Sequence, residues 1–388
     1  MGSLTELPDA TSPKLILTTP TEAEKRQTWT MNHAEWGGAL NLEEYLEREP
    51  YLATIPLAEK GGLKYWILTE ASGLPDARPV LASCESLRKK ALITDPKSGE
   101  VKEVVAYGIG SVYTNPQFRG RRYASRMLRD LGSLLKLETE KIEGQAAEIA
   151  ASALWSDIGK SFYAKLGWAP FPSEHICFAA SAGTDSDMNS RNVTEITYSN
   201  LESFCKLDEE LLRKHLAEHA KDSKPRFAFT PNSDIFRWHL YRDDFIANIV
   251  FKNSGKGESQ VKGAVAGPEG RRVWALWTRN YNGDATNVAK NTLYILRLVV
   301  EDDTVPIDEL TASFTAVLKK AQSEADRWQI GKIELWNTTS LANTLVEKSG
   351  LAYERHERQT DSIPSMMWYA ESDGGQVEWV ANEKYCWC

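Results

Sequence analysis

The stretch Val112-Tyr-Thr-Asn-Pro-Gln-Phe-Arg-Gly-Arg-Arg-Tyr-Ala-Ser-Arg-Met-Leu128 changes its period midway. Val104 to Thr114 is rich in β-branched and aromatic residues and predicts a strand. Beyond it, Ala124, Met127, Leu128, Leu131, Leu134 and Leu135 recur at i, i+3 and i+4, which predicts an amphipathic helix reaching about Glu143. Between the two lies a loop of arginines around Gly120. Successive N–H groups at a helix start cradle an anion, and the helix dipole adds a favourable field, so this order predicts a phosphate site. Arg119, Arg121 and Arg122 add positive charge beside it.

Upstream, Lys64 to Glu70 and Pro79 to Ser83 read as strands, and Asp95-Pro-Lys-Ser-Gly-Glu100 as a turn between two further strands. Downstream come a strand from Ala147 to Leu154, a short helix from Ser161 to Leu166 closed by Lys165-Leu-Gly-Trp168, and a last strand from His175 to Ala180. The run from Ser181 to Asn192 is small and polar and predicts a linker. The same order then returns: strands at Arg272 to Thr278 and Asn291 to Val300, a helix from Ile307 to Trp328, a strand from Lys332 to Trp336, and a helix from Ser340 to Leu351. Met366 to Tyr369 mirrors the last strand of the first half. The expected fold is α+β, with two tandem domains at 1–180 and 197–388, a linker at 181–196, and in each a mixed, mainly antiparallel sheet flanked by helices. A chain of 388 residues suits two such units.

The second copy carries Glu301-Asp-Asp-Thr-Val-Pro-Ile-Asp308 where the arginine loop should be. Carboxylates there suit the helix dipole and repel pyrophosphate, so only the first half is expected to hold phosphate. The second half is expected to wall a substrate site, with candidates Trp238, Tyr241, Trp274, Trp277, Tyr281 and Trp336. A net charge of -8 argues against a general nucleic-acid binder. No stretch approaches the ~18 consecutive apolar residues of a membrane span, and Met1 to Thr21 is polar, so no membrane partner is expected. The scattered Cys84, Cys177, Cys205, Cys386 and Cys388 predict reduced thiols and a cytoplasmic location. No metal-ligand spacing is present, and no metal is expected.

The arginine loop resembles motif A of the GNAT superfamily, Arg/Gln-x-x-Gly-x-Gly/Ala, here Arg119-x-x-Arg122-x-Ala124. Arg122 replaces the middle glycine. Ser156 to Trp168 resembles motif B, a helix ending Tyr-x-x-x-Gly-Phe/Trp, and puts Tyr163 at the position that in many members protonates departing coenzyme A. The whole chain resembles the fungal lysine N6-acetyltransferase family, on Ala82 to Arg88, Phe118 to Ala124, Val273 to Thr278, Leu293 to Val299 and Asn382 to Trp387.

The resemblance implies acetyl-CoA as donor and the side-chain amine of L-lysine as acceptor. It implies a pyrophosphate held by Arg119 and the main chain of Gly120, Arg121, Arg122, Tyr123, Ala124 and Ser125. The pantetheine arm would pair with Val112, Tyr113 and Thr114, and Ser156 stands where an asparagine usually faces the cofactor. An ammonium acceptor needs a base, for which Glu85, Glu35 and Glu49 are candidates. Two other readings stay open: an acyltransferase for a specialised-metabolite amine or protein lysine, and a non-catalytic coenzyme A binding protein.

Overall fold

Residues 7–142, 144–180, 193–221, 224–252, 254, 260–369 and 377–388 are described by the computed structural model. The first half runs β1 (Leu15–Thr18), α1 (Glu22–Trp36), α2 (Leu42–Leu52), β2 (Leu63–Glu70), β3 (Ala82–Asp95), β4 (Glu100–Thr114) and α3 (Tyr123–Leu137). It continues with β5 (Glu140–Ile142), β6 (Gln145–Ala147), β7 (Ile149–Ser156), α4 (Ser161–Ala164), β8 (Ala169–Pro170) and β9 (Glu174–Ala179). The second half begins β10 (Val193–Ile196), α5 (Leu201–Glu218), β11 (Arg226–Phe229), α6 (Ser233–Val250), β12 (Gly263–Ala266), β13 (Val273–Asn280) and β14 (Thr292–Val300). It ends α7 (Ile307–Arg327), β15 (Lys332–Trp336), α8 (Ser340–Lys348), β16 (Glu354–Glu357), β17 (Ile363–Trp368) and β18 (Glu378–Trp379). No described helix is long and apolar enough to cross a membrane.

The first sheet has the order β1-β2-β3-β4-β7-β17-β8, with β11 on the free edge of β3 and β18 beside β11. The second has the order β10-β12-β13-β14-β15-β9-β16. Both are mainly antiparallel. In each, a strand, a helix and a parallel return strand make one crossover, β4-α3-β7 and β14-α7-β15. The tandem α+β plan expected from the repeated order is therefore the plan of the molecule.

Three details differ from the sequence reading. The helix after the arginine loop stops at Leu137, because Glu138 turns extended (ψ 148°) and the leucine run ends; beyond it β5 pairs antiparallel with β6. Of the linker, residues 181–192 lie outside the described residues, while Val193 to Ile196 form β10 and pair with β12. Finally, one strand from near the end of each half lies in the other half's sheet: β9 pairs with β15, and β17 with β7. A strand's pattern reports its two faces and not its neighbour, so an exchange between equivalent edges leaves no trace in the pattern. It also covers the edges of β7 and β15, which would otherwise offer open ladders.

Alternation along β4 sorts its side chains. Val105, Tyr107 and Ile109 pack with Met127, Leu128, Leu131 and Leu135 of α3. Val104 and Ala106 face the other way, into a core shared with Trp274, Leu276 and Leu296 of the second half. Each leucine so buried is worth roughly 1.5–3 kcal/mol. The N-terminal helices cross to the second half as well, since Trp29, Leu40, Tyr45 and Leu46 share a core with Trp277, Leu293 and Phe314. Both helices open with a capping box, Thr21 with Glu24 and Asn41 with Glu44.

Candidate active site

The site opens where β4 and β7 part. Their parallel pairing covers Val105 to Ile109 against Ile149 to Leu154 and then stops. β4 continues to Thr114 on β3, and β7 continues to Ser156 on β17. A bulge helps to steer β4 away: the register shifts between Ser83 and Glu85, opposite Ser111, which takes a left-handed φ of 51°. Among the described residues, the β7-side edge of Gly110 to Thr114 thus has no strand partner. A cavity of about 880 Å³ fills the opening.

Val112, Tyr113, Thr114, Arg119 and Ala124 line this cavity, as do Glu85 and Tyr163. The Arg119 Nε donates to Thr114 O at 3.3 Å, and its guanidinium stands 3.8 Å from Glu35. Gly120, Arg121 and Arg122 border a smaller hollow of about 190 Å³ with Asp9, Ala10, Thr11 and Arg129. Gly120 (φ 81°) and Arg122 (φ 63°) are both left-handed, so the chain pivots twice before α3. Arg122 holds the turn a glycine would make at less cost.

One expected contact, that of Ser156, is not met. The Tyr123 ring belongs to the core, with its hydroxyl donating to Pro8 O at 2.7 Å, which does not bear on the main-chain contact expected there. Ser156 is fully buried outside the cavity lining; its hydroxyl donates to Gly159 O at 2.7 Å and accepts from Ile158 N at 3.2 Å. That hydroxyl closes a turn and is spent. Ser125 is half-buried and borders neither space.

Tyr163 is held by the end of α4, where its carbonyl accepts from Leu166 N at 2.9 Å and Trp168 N at 3.1 Å. Gly167 (φ 104°) makes this turn, and a Cβ there would meet Met367 Cε of β17 at 2.7 Å. The Tyr-x-x-x-Gly-Trp spacing is thus dictated by a tight exit under β17. Burial raises the phenol's pKa, with Asp157 adding to the rise, so Tyr163 stays protonated at neutral pH. Glu85 lies opposite Gly110 on β3. Burial, then the neighbouring Glu49 charge, push its carboxyl up to about 8, against hydrogen bonding from Ser111 and the charges of Arg48 and Arg242.

The second half supplies the remaining wall through Trp238, His239, Arg242 and Asp243 of α6, Thr278 to Asn280, Tyr294 and Lys384. Of the six aromatics named from sequence, only Trp238 lines the cavity; Trp274, Trp277, Tyr281 and Trp336 are core, and Tyr241 packs against Tyr198. Trp387 and Cys388 reach the cavity because the buried Lys89 ammonium donates to Cys386 O (2.8 Å) and Trp387 O (3.1 Å). Lys384 sits among the rings of Tyr294, Trp336 and Trp387 at 4.0–4.5 Å. Burial, then Arg358 and Arg242, hold its pKa well below the usual value. Away from the cavity lining, the pairing of β9 with β16 brings His175, Cys177 and His356 donor atoms within 4.8 Å of one another, a grouping no sequence spacing announces. Arg358 already donates to His175 Nδ1 at 2.8 Å.

A strand splayed from its parallel neighbour, an arginine loop leading into a helix, and a buried phenol at the mouth define a GNAT-type N-acetyltransferase. More narrowly, the model of the LYC1 GNAT-like C-terminal domain matches residues 175–388, more than half of the chain, and the protein belongs to this LYC1-like GNAT family. It is 25% identical to a protein named lysine acetyltransferase from Yarrowia lipolytica, over 96% of this chain and 99% of that one. It is also 25% identical to the uncharacterized protein YGR111W of Saccharomyces cerevisiae, over 94% of this chain and 95% of that one. Among solved structures, a probable N-acyltransferase from Enterococcus faecalis superposes with a TM-score of 0.52 at 10% identity, covering 92% of this chain and 72% of the other. A GCN5-related N-acetyltransferase from Kribbella flavida gives a TM-score of 0.50 at 14% identity, covering 91% and 70%. These two speak for the fold.

Proposed function

We propose that the protein transfers the acetyl group of acetyl-CoA to the side-chain amine of L-lysine, directly, within a ternary complex. The observation that carries this reading is one cavity shared by the splayed strand, Arg119, Tyr163 and Glu85. Its walls fit the donor: the unpartnered edge of Val112 to Thr114 suits an amide-bearing arm that pairs as an added strand. The start of α3 and Arg119 suit a pyrophosphate. When bound, acetyl-CoA supplies the activated acyl group. Glu85 accepts a proton from the acceptor ammonium, the freed amine nitrogen bonds to the acyl carbon as the C–S bond breaks, Tyr163 gives its proton to the departing sulfur, and the second proton shed by the new amide nitrogen restores the phenol. L-Lysine as acceptor is supported by the name of the Yarrowia lipolytica relative. The domain at 1–180 would hold the donor, and the domain at 197–388 would close the acceptor side.

The deciding experiment is thiol release from acetyl-CoA with L-lysine and a panel of other amines; no release with any amine would overturn the reading. Two binding results are expected alongside it. Arg119→Ala should weaken coenzyme A binding by about 1.5–3 kcal/mol, the size of a charge-assisted contact, and unchanged affinity by calorimetry would remove Arg119 from the site. Stoichiometry should be one coenzyme A per chain. At the start of α7, Asp308 and Glu309 occupy the first turn, and Glu301 is tied to Arg272, so a second site there would contradict the charge argument.

A further inference from the structure

We propose that Arg242 anchors a carboxylate of the acceptor, which makes the acceptor a free amino acid bearing a side-chain amine and excludes simple alkyl diamines and lysine within a protein. This rests on the reading of the cavity as the amine site of an acyltransferase. Among the described residues, the cavity wall holds Arg48, Arg119, Arg242 and Arg279. Three of them have carboxylates. Arg48 donates to Glu49, Arg119 stands 3.8 Å from Glu35, and Arg279 donates to Asp243 at 2.8 Å and Asp244 at 2.9 Å. Arg242 has no carboxylate within ion-pair distance among the described residues; its guanidinium lies over the Trp387 ring, 5.5 Å from the centroid.

Arg242 is half-buried in the cavity wall, and Glu49 and Asp243 act on it only from a distance, so a carboxylate in direct contact is the partner its guanidinium lacks. Burial, then the neighbouring Arg48 charge, pull the Arg242 pKa down to about 10, which still leaves it cationic at neutral pH. The partner that a planar, forked donor matches is a carboxylate, held through two parallel hydrogen bonds. Helical spacing fixes where that partner sits. Trp238, Arg242 and Ile246 follow one another at four-residue intervals on α6 and all line the cavity. Glu85 lines it from β3, and its charge and that of Arg242 are close enough to influence each other. A molecule with its carboxylate on Arg242 and its amine toward Glu85 would lay its hydrocarbon stem along Tyr45, Leu52 and Trp238, all in the lining. A peptide-bonded lysine has no such carboxylate, and a diamine would bring a second cation to Arg242.

The test compares L-lysine, L-lysinamide and cadaverine on the full chain, by calorimetry and by thiol release, in the wild type, Arg242→Gln and Arg242→Lys. L-Lysinamide keeps both amines and the stem and lacks only the carboxylate. The wild type should bind L-lysine at least tenfold more tightly than L-lysinamide. Arg242→Gln should weaken L-lysine by roughly 10- to 100-fold, as for a lost charge-assisted contact, leave L-lysinamide within a few-fold, and leave coenzyme A affinity unchanged. Arg242→Lys should recover part of the loss, and it carries the test if the glutamine variant fails to fold. Equal wild-type affinity for L-lysine and L-lysinamide, equal weakening of both in the variants, loss of coenzyme A affinity instead, or no binding of L-lysine would each overturn the anchor. The two readings fail differently. Selective, Arg242-dependent L-lysine binding without thiol release sinks the transferase and spares the anchor, whereas thiol release as fast with L-lysinamide as with L-lysine does the reverse.

Discussion

Tyr163→Phe should lower turnover by about 10²- to 10⁴-fold, the usual worth of a positioned proton donor, while the melting temperature and acetyl-CoA affinity stay close to wild type. The structure makes this a clean substitution. The ring of Tyr163 packs in the core that also holds Leu154, Tyr123 and Trp168, and phenylalanine keeps all of that contact. Among the described residues, no protein group hydrogen-bonds the Tyr163 hydroxyl, and the residue lines the cavity. A structural hydroxyl would cost ~1 kcal/mol of stability on removal. Here there is no such bond to lose. Burial holds the phenol in its neutral form across the physiological range, so its proton is available to a leaving sulfur. A single-turnover rate within a few-fold of wild type would take Tyr163 off the catalytic list.

Much of the cavity's side around the arginine loop and Tyr163 was legible because it is local in sequence. The strand, arginine loop and helix from Val104 to Leu137 follow one another, and the change from period 2 to period 3.6 marks them without any tertiary knowledge. The same holds for Tyr163 and Gly167, whose spacing reflects one tight turn. What failed was whatever depends on which face a residue presents or which strand lies beside it. Ser156 sits in the motif span, yet it is buried and its hydroxyl closes a turn.

The cavity wall facing Arg119 and Tyr163 was legible only in part, since it is assembled from α2, β3, α6 and the segment from Lys384 to Cys388, far apart along the chain. Arg242 in isolation reads as one more helix arginine. Its meaning comes from its neighbours' pairings, which only the packed structure shows. The strand exchange was hidden for a related reason: β9 and β17 alternate in the same way wherever they insert.

Glu85→Gln should both stabilise the protein at neutral to alkaline pH and abolish most of its activity, and the two effects test the same cause. In the unfolded chain this carboxyl ionises near its ordinary value of 4.5; in the folded chain burial and Glu49 delay ionisation to about 8. Between those values the folded state binds more protons than the unfolded one, so this residue's contribution to stability is greatest below pH 4.5 and declines as pH rises to about 8. Glutamine never ionises and escapes the decline. The melting temperature of Glu85→Gln should therefore rise above wild type progressively from about pH 5 to about pH 8 and hold a constant lead beyond it. Activity should move the other way. A base with a pKa of about 8 is mostly protonated at pH 7, so wild-type kcat/KM should climb nearly tenfold per pH unit below that value and bend near it. Removing the base should cost about 10²- to 10⁴-fold at the optimum and erase the bend. Glutamine keeps a side chain of the same shape and a carbonyl that can still accept from Ser111, so a collapse of the site is not the expected cause of the loss. A variant that is stabilised at high pH yet turns over normally, with the bend intact, would leave Glu85 as a buried acid of the wall and send the search for the base to Glu49.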